Sequence, residues 1–209
     1  TFAPVEYYQS VENCTQCPPG EYCGSAGLDT PTGYCYAGYY CTGGAASPTP
    51  RNHLVNASVT DTFTGNDVCP AGFYCGNGTS YPWPCPIGTF SISTELMEAD
   101  QCEPCPVGRW CNVTANTMTT AAPLCDPGYV CTGGSKTPTP TDYIDGYPCP
   151  AGYYCPAGTS VPLGCQVGTF QNRMAQAECD DCLAGLMCDE MNMTDPSPCK
   201  EGYYCPAAT

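Results

Sequence analysis

The chain has 209 residues, with 21 Cys, 23 Gly and 23 Pro, and its 5 Lys+Arg against 20 Asp+Glu give a formal net charge of −15. Cysteine at about a tenth of the residues marks a disulfide scaffold made in an oxidising, extracellular setting, because a reducing cytosol would leave such thiols free or metal-bound. The acid excess argues against nucleic acid and anionic membrane surfaces as partners, and no apolar run reaches the ~20 residues of a membrane span.

A core large enough for one globular domain is also missing. Phe totals 5 and Trp 2, while Tyr, whose hydroxyl suits half-buried positions, totals 16. Where the apolar interior is this thin, covalent bridges replace it. Each is worth roughly 3 kcal/mol for a 15-residue loop in the chain-entropy picture.

Residues 1–13 form a lead-in, and Thr1-Phe2-Ala3-Pro4 shows no signal peptide, which reads as a mature chain or a window from a longer one. From there the sequence repeats. Cys-x-x-Gly occurs ten times, and eight of these continue to a second Cys three residues after the Gly, as in CPAGFYC from Cys69 and CPAGYYC from Cys149. The other two read CPIGTF from Cys85 and CQVGTF from Cys165. Pro before a Gly that accepts positive φ is a turn, and the aromatic after it starts a short extended segment.

A longer period lies above this one, because Cys-x-x-Cys recurs at Cys14, Cys102 and Cys179. That divides the chain into repeat 1 (14–101), repeat 2 (102–178) and a partial repeat 3 (179–209). CTGGAASPTP from Cys41 matches CTGGSKTPTP from Cys131, and CGNGTSYPWPCPIGTF from Cys75 matches CPAGTSVPLGCQVGTF from Cys155. The cut-off third copy accounts for the odd cysteine total without a lone reactive thiol. Amphipathic helical periodicity is absent, with helical turns expected only within residues 91–100 and 171–178. The fold class expected is small and disulfide-rich. Tandem cysteine-rich modules of short strands and turns stack into an elongated rod with little helix.

Catalytic and metal chemistry lack their parts. Successive Cys-x-x-Cys pairs stand too far apart for a zinc site, and His53 is the one imidazole for any general-base role. The acidic residues Asp180, Asp181, Asp189, Glu190 and Asp195 offer oxygen ligands for at most a weak calcium site, and a solvated acidic face is the favoured reading. No other cofactor is implied beyond covalent glycans. Asn-x-Ser/Thr sequons stand at Asn13, Asn56, Asn77, Asn112 and Asn192, all in turns or loops. The segments Ser47-Pro-Thr-Pro50 and Thr137-Pro-Thr-Pro-Thr141 read as extended polyproline, with Thr49, Thr137, Thr139 and Thr141 as O-glycosylation candidates. Tyr39-Tyr40, Tyr153-Tyr154 and Tyr203-Tyr204 are read as exposed contact pairs.

The stretches from Cys85 to Cys131 and from Cys165 to Cys205 resemble the cysteine-rich modules of tumour-necrosis-factor receptors and ephrin receptors. More narrowly, the tandem CPAGYYC…GTS…GTF units are similar to GCC2/GCC3 repeats. Those occur in large extracellular proteins of algae and other protists, mastigoneme shaft proteins included. The resemblance implies hydroxylated, glycosylated prolines at Pro48, Pro50, Pro138 and Pro140. It also implies a disulfide plan, in which Cys85–Cys102 and Cys165–Cys179 close the GTF loops. Crossed pairs follow: Cys17–Cys35 with Cys23–Cys41, Cys105–Cys125 with Cys111–Cys131, and Cys182–Cys199 with Cys188–Cys205. Cys69–Cys75 and Cys149–Cys155 are left to pair locally. A rival scheme crosses Cys69–Cys85 with Cys75–Cys102 and Cys149–Cys165 with Cys155–Cys179. Both leave Cys14 unpaired.

The function expected is a non-catalytic structural subunit of an extracellular, glycosylated, mastigoneme-like filament. Its partner would be another copy of itself or another extracellular protein. The alternative is the ectodomain of a receptor or adhesin that binds a protein ligand along the rod. A secreted enzyme with cysteine-rich decoration finds no support in these residues.

Overall fold

The computed structural model describes residues 15–51, 63, 65–117 and 122–208. Asn13, Cys14, His53 and Asn56 lie outside the described residues. Among those described, secondary structure is confined to strands of two or three residues and one 3₁₀ turn at Ala99–Gln101. The strands pair as two-stranded antiparallel ribbons, each joining neighbours in the chain, such as Tyr39–Cys41 with Asn66–Val68 and Tyr153–Tyr154 with Leu163–Gly164. The helical turn expected within residues 91–100 is present at that segment's end. Residues 171–178 are loops and bends, with no helix.

The ribbons are built from the Cys-x-x-Gly-x-x-Cys turn. The glycine takes positive φ, +82° at Gly152, and sends the chain back so that the second Cys comes beside the first. Cα–Cα separations across these six-residue spans run from 5.8 Å at Cys69–Cys75 to 6.5 Å at Cys125–Cys131, within the reach of a disulfide. The bridges are accordingly local: Cys17–Cys23, Cys35–Cys41, Cys69–Cys75, Cys105–Cys111, Cys125–Cys131, Cys149–Cys155, Cys182–Cys188 and Cys199–Cys205. The GTF loops are closed by Cys85–Cys102 and Cys165–Cys179.

This pairing corrects the crossed bridges Cys17–Cys35, Cys23–Cys41, Cys105–Cys125, Cys111–Cys131, Cys182–Cys199 and Cys188–Cys205. The rival scheme is not formed either. The physical reason is that the reversal at the glycine brings the two half-cystines of one turn together, while successive turns are joined through backbone bonds. The Gly N–H of one turn donates to the second half-cystine carbonyl of the next, and its own carbonyl accepts from the first half-cystine N–H. Gly128 N donates to Cys155 O at 2.7 Å, and Cys149 N donates to Gly128 O at 2.8 Å. The same two bonds recur between the turns at Gly20 and Cys35–Cys41, Gly38 and Cys69–Cys75, Gly108 and Cys125–Cys131, and Gly185 and Cys199–Cys205.

The described residues form two compact units. One holds residues up to 103 together with 114–117, and the other holds 104–113 and 122 onward. In each, the interior is largely sulfur. In the first, Tyr40 packs with the Cys69–Cys75 bridge under Phe63 and Phe73. In the second, Val130 packs with Cys149–Cys155 under Tyr147 and Tyr153.

The two turns that lack a second cysteine keep the position buried. Ser91 and Gln171 stand six residues after Cys85 and Cys165, and both are almost fully enclosed. Gln171 Nε2 donates to Glu178 O at 3.0 Å and its Oε1 accepts from Arg173 N at 3.1 Å. Ser91 Oγ bridges Ser93 O and Ser93 N at 3.0 and 3.1 Å. Side-chain hydrogen bonds there take over the crosslink's role of tying down the loop.

Candidate interaction surface

A second recurring contact shapes the surface. In every described turn from Cys17 to Cys182, the carbonyl of the first half-cystine accepts an N–H from a residue in the left-handed region. Gly78 N bonds Cys35 O at 2.8 Å, Ala175 N bonds Cys149 O at 2.7 Å and Asn192 N bonds Cys165 O at 2.9 Å. Asn192 therefore sits at φ +59°, in a conformation Asn tolerates better than most residues. Its side chain is exposed, and Nδ2 lies 3.4 Å from Tyr153 Oη. Asn112 is exposed immediately after buried Cys111, and Asn77 is exposed in the turn after Cys75. In the Asn77 sequon, Thr79 Oγ1 donates to Gly76 O at 2.8 Å, a bond repeated by Thr159 to Pro156 O at 2.6 Å.

Asn77 lines a cleft of about 820 Å³. One wall is the ribbon in which Tyr74 stands directly opposite Trp83, so both rings share a face. Trp83 is 61% exposed. The opposite wall is Met97, Glu98 and Ala99, held by Gln101 Oε1, which accepts from Met97 N and Glu98 N at 2.5 and 3.1 Å. Among the described residues, Glu98 is the only charged side chain lining the cleft. Tyr81 reaches it from the rim and packs edge-on against Phe63 at 5.0 Å. No motif in the sequence announces this cleft. Its signal lay in the aligned copies, where Asn77, Tyr81 and Trp83 are replaced by Ala157, Val161 and Leu163.

The Thr-Pro segments are docked loops, not free stalks. Pro48 O accepts from Tyr36 N at 2.8 Å and Pro138 O from Asp126 N at 3.0 Å. Pro50 and Pro140 are buried, Thr49, Pro48 and Pro138 are half-buried, and Thr137, Thr139 and Thr141 are exposed. Of the tyrosine pairs, Tyr203-Tyr204 is open to solvent and Tyr153-Tyr154 is half-buried, whereas Tyr39-Tyr40 is buried and corrects the expectation of an exposed contact. Tyr39 Oη accepts from Arg51 at 2.6 Å, and Tyr40 is enclosed by the Cys69–Cys75 cluster.

Asp180 is engaged by Arg173 at 3.1 Å, and the described residues hold no group of three or more metal-ligating side chains. Nor do they include a helix long and apolar enough to cross a membrane. The bridges place the folded chain in the oxidising setting of secreted and extracellular proteins. Comparison with protein-family models and with curated proteins returns no match.

Proposed function

We propose that the chain is a structural segment of an extracellular, glycosylated filament of the mastigoneme type, with no catalytic role. What supports the reading is the serial construction: one covalently closed turn docks on the next through the same Gly–half-cystine bond pair. Such a design lengthens by adding identical parts, each touching its neighbours, which is the economy of a repeat scaffold. Eight of the ten turns carry their own bridge, so their closure does not depend on their neighbours. The acid excess keeps free segments apart in solution. Solvent-facing Asn77, Asn112 and Asn192, with Thr137, Thr139 and Thr141, supply the glycan positions. The deciding experiment is electron microscopy of native material, with the chain located by antibody. Labelling along fibres supports the reading, and label confined to dispersed monomers or to the cell membrane rejects it.

A further inference from the structure

We propose that the cleft beside Asn77 seats the first sugar of a glycan carried on Asn77 itself, with its ring laid against the indole of Trp83. The proposal rests on the reading of the chain as a glycoprotein and adds to it a defined seat. In the attachment, Asn77 Nδ2 bonds to C1 of an N-acetylhexosamine supplied by a lipid-pyrophosphate oligosaccharide. The C1–oxygen bond to pyrophosphate breaks, and one Nδ2 proton is lost.

Three observations carry it. Asn77 is exposed and is itself part of the cleft wall, so an attached sugar begins inside the space it would fill. Tyr74 and Trp83 stand opposite each other on paired strands and both line the cleft, and the C–H face of a pyranose packs on the electron-rich side of such rings. With Glu98 the only charged lining residue among those described, the cleft suits a neutral, amphipathic occupant, and its volume lies in the range of small-ligand sites.

The internal repeat supplies the control. The second copy builds the same ribbon, Tyr154 opposite Leu163, with the same threonine back-bond from Thr159. There the sequon asparagine is Ala157 and the indole is Leu163. The ribbon therefore does not need tryptophan to fold. Tryptophan is present in the copy that carries the acceptor and absent from the copy that lacks it. Tyr81 already packs on Phe63, so the argument rests on Trp83.

The test uses the whole chain secreted from a host that attaches N-glycans, trimmed enzymatically to single N-acetylglucosamines. Glycopeptide mass spectrometry comes first, and an unoccupied Asn77 overturns the proposal at its premise. With Asn77 occupied, the sugar's ring and N-acetyl protons are expected to shift upfield in NMR spectra, as protons over an indole do. The sugar is expected to raise the unfolding midpoint by roughly 2–4 °C over Asn77→Gln. Trp83→Leu, which copies the second repeat, abolishes both effects. Unshifted sugar resonances, or an equal midpoint gain in Trp83→Leu, overturn the seat while leaving glycosylation intact.

Discussion

A Cβ placed on Gly152 would stand 2.5 Å from the carbonyl oxygen of Asn192, the residue that caps Cys165. The glycine is thus needed twice, for its positive φ and for the close approach of another loop. Gly202 has nearly the same φ, +84° against +82°, but no described residue within 4 Å of its Cβ position. The two sites separate the effects. Gly202→Ala is expected to cost about 1–2 kcal/mol, the left-handed penalty alone. Gly152→Ala should lose clearly more, because Asn192 has to move. Guanidinium unfolding of the oxidised variants reads the difference, and equal losses would show that the loop yields freely.

Local bridging makes a second expectation definite. A six-residue loop closed by sulfur is worth about 2 kcal/mol in the chain-entropy picture. Replacing both Cys149 and Cys155 by Ala should cost about that much plus the packing of two buried sulfurs. Non-reducing peptide mapping should recover Cys105 with Cys111 and Cys125 with Cys131 as separate linked pairs. A peptide joining Cys105 to Cys125 would contradict the local pairing.

The turn chemistry and the sulfur core were legible because each is local: Cys, Pro and Gly at fixed offsets state the turn directly, whereas the GTF-loop bridges followed from the family resemblance alone. The pairing between turns was not legible. Cys-x-x-Gly-x-x-Cys permits crossed or local closure equally, and it is the folded turn, with half-cystine Cα atoms 6.0 Å apart at Cys105–Cys111, that makes the closure local. Tyr39 and Tyr40 misled for a related reason. The same dipeptide is buried at 39–40, half-buried at 153–154 and 88% exposed at Tyr204, according to what the next loop lays over it.

Gln171 tests the idea that hydrogen bonds stand in for a missing crosslink. Gln171→Ala removes an almost fully buried side chain and takes two hydrogen bonds from the loop, those to Glu178 O and from Arg173 N. A loss of about 1–3 kcal/mol is expected, measured by thermal unfolding. Gln171→Cys should not rescue it, because Cys165 is already bound to Cys179.

Tyr40 gives the chain an alkaline limit. Burial, and then the charge of Asp67 opposite it on the paired strand, push its phenol above the usual value. A group whose folded value is raised contributes stability that is whole below the unfolded phenol range and is lost as pH rises through the folded one. Unfolding midpoints should therefore fall on the alkaline side of that range. Tyr40→Phe should flatten the fall while changing little at neutral pH. Retention of the full alkaline decline in Tyr40→Phe would assign it to other groups.

Asp142 sets the opposite limit for a single loop. Its Oδ1 accepts from Ile144 N and Asp145 N, both at 3.0 Å, and these bonds hold the carboxyl below the usual carboxylate range. With the folded value depressed, the contribution is present above the unfolded carboxylate range and fades as pH falls through the folded one. The loop carries Asp145, whose side chain meets Lys136 at 3.1 Å and whose carbonyl accepts from Ser135 Oγ at 2.5 Å. Amide exchange at Ile144 and Asp145 should accelerate, relative to the same amides in an unfolded reference, once Asp142 protonates. Asp142→Ala should show that loss of protection already at neutral pH, with Asp142→Asn recovering part of it. Identical protection across the acid range would mean that the loop is held by Ser135 and Lys136 without Asp142.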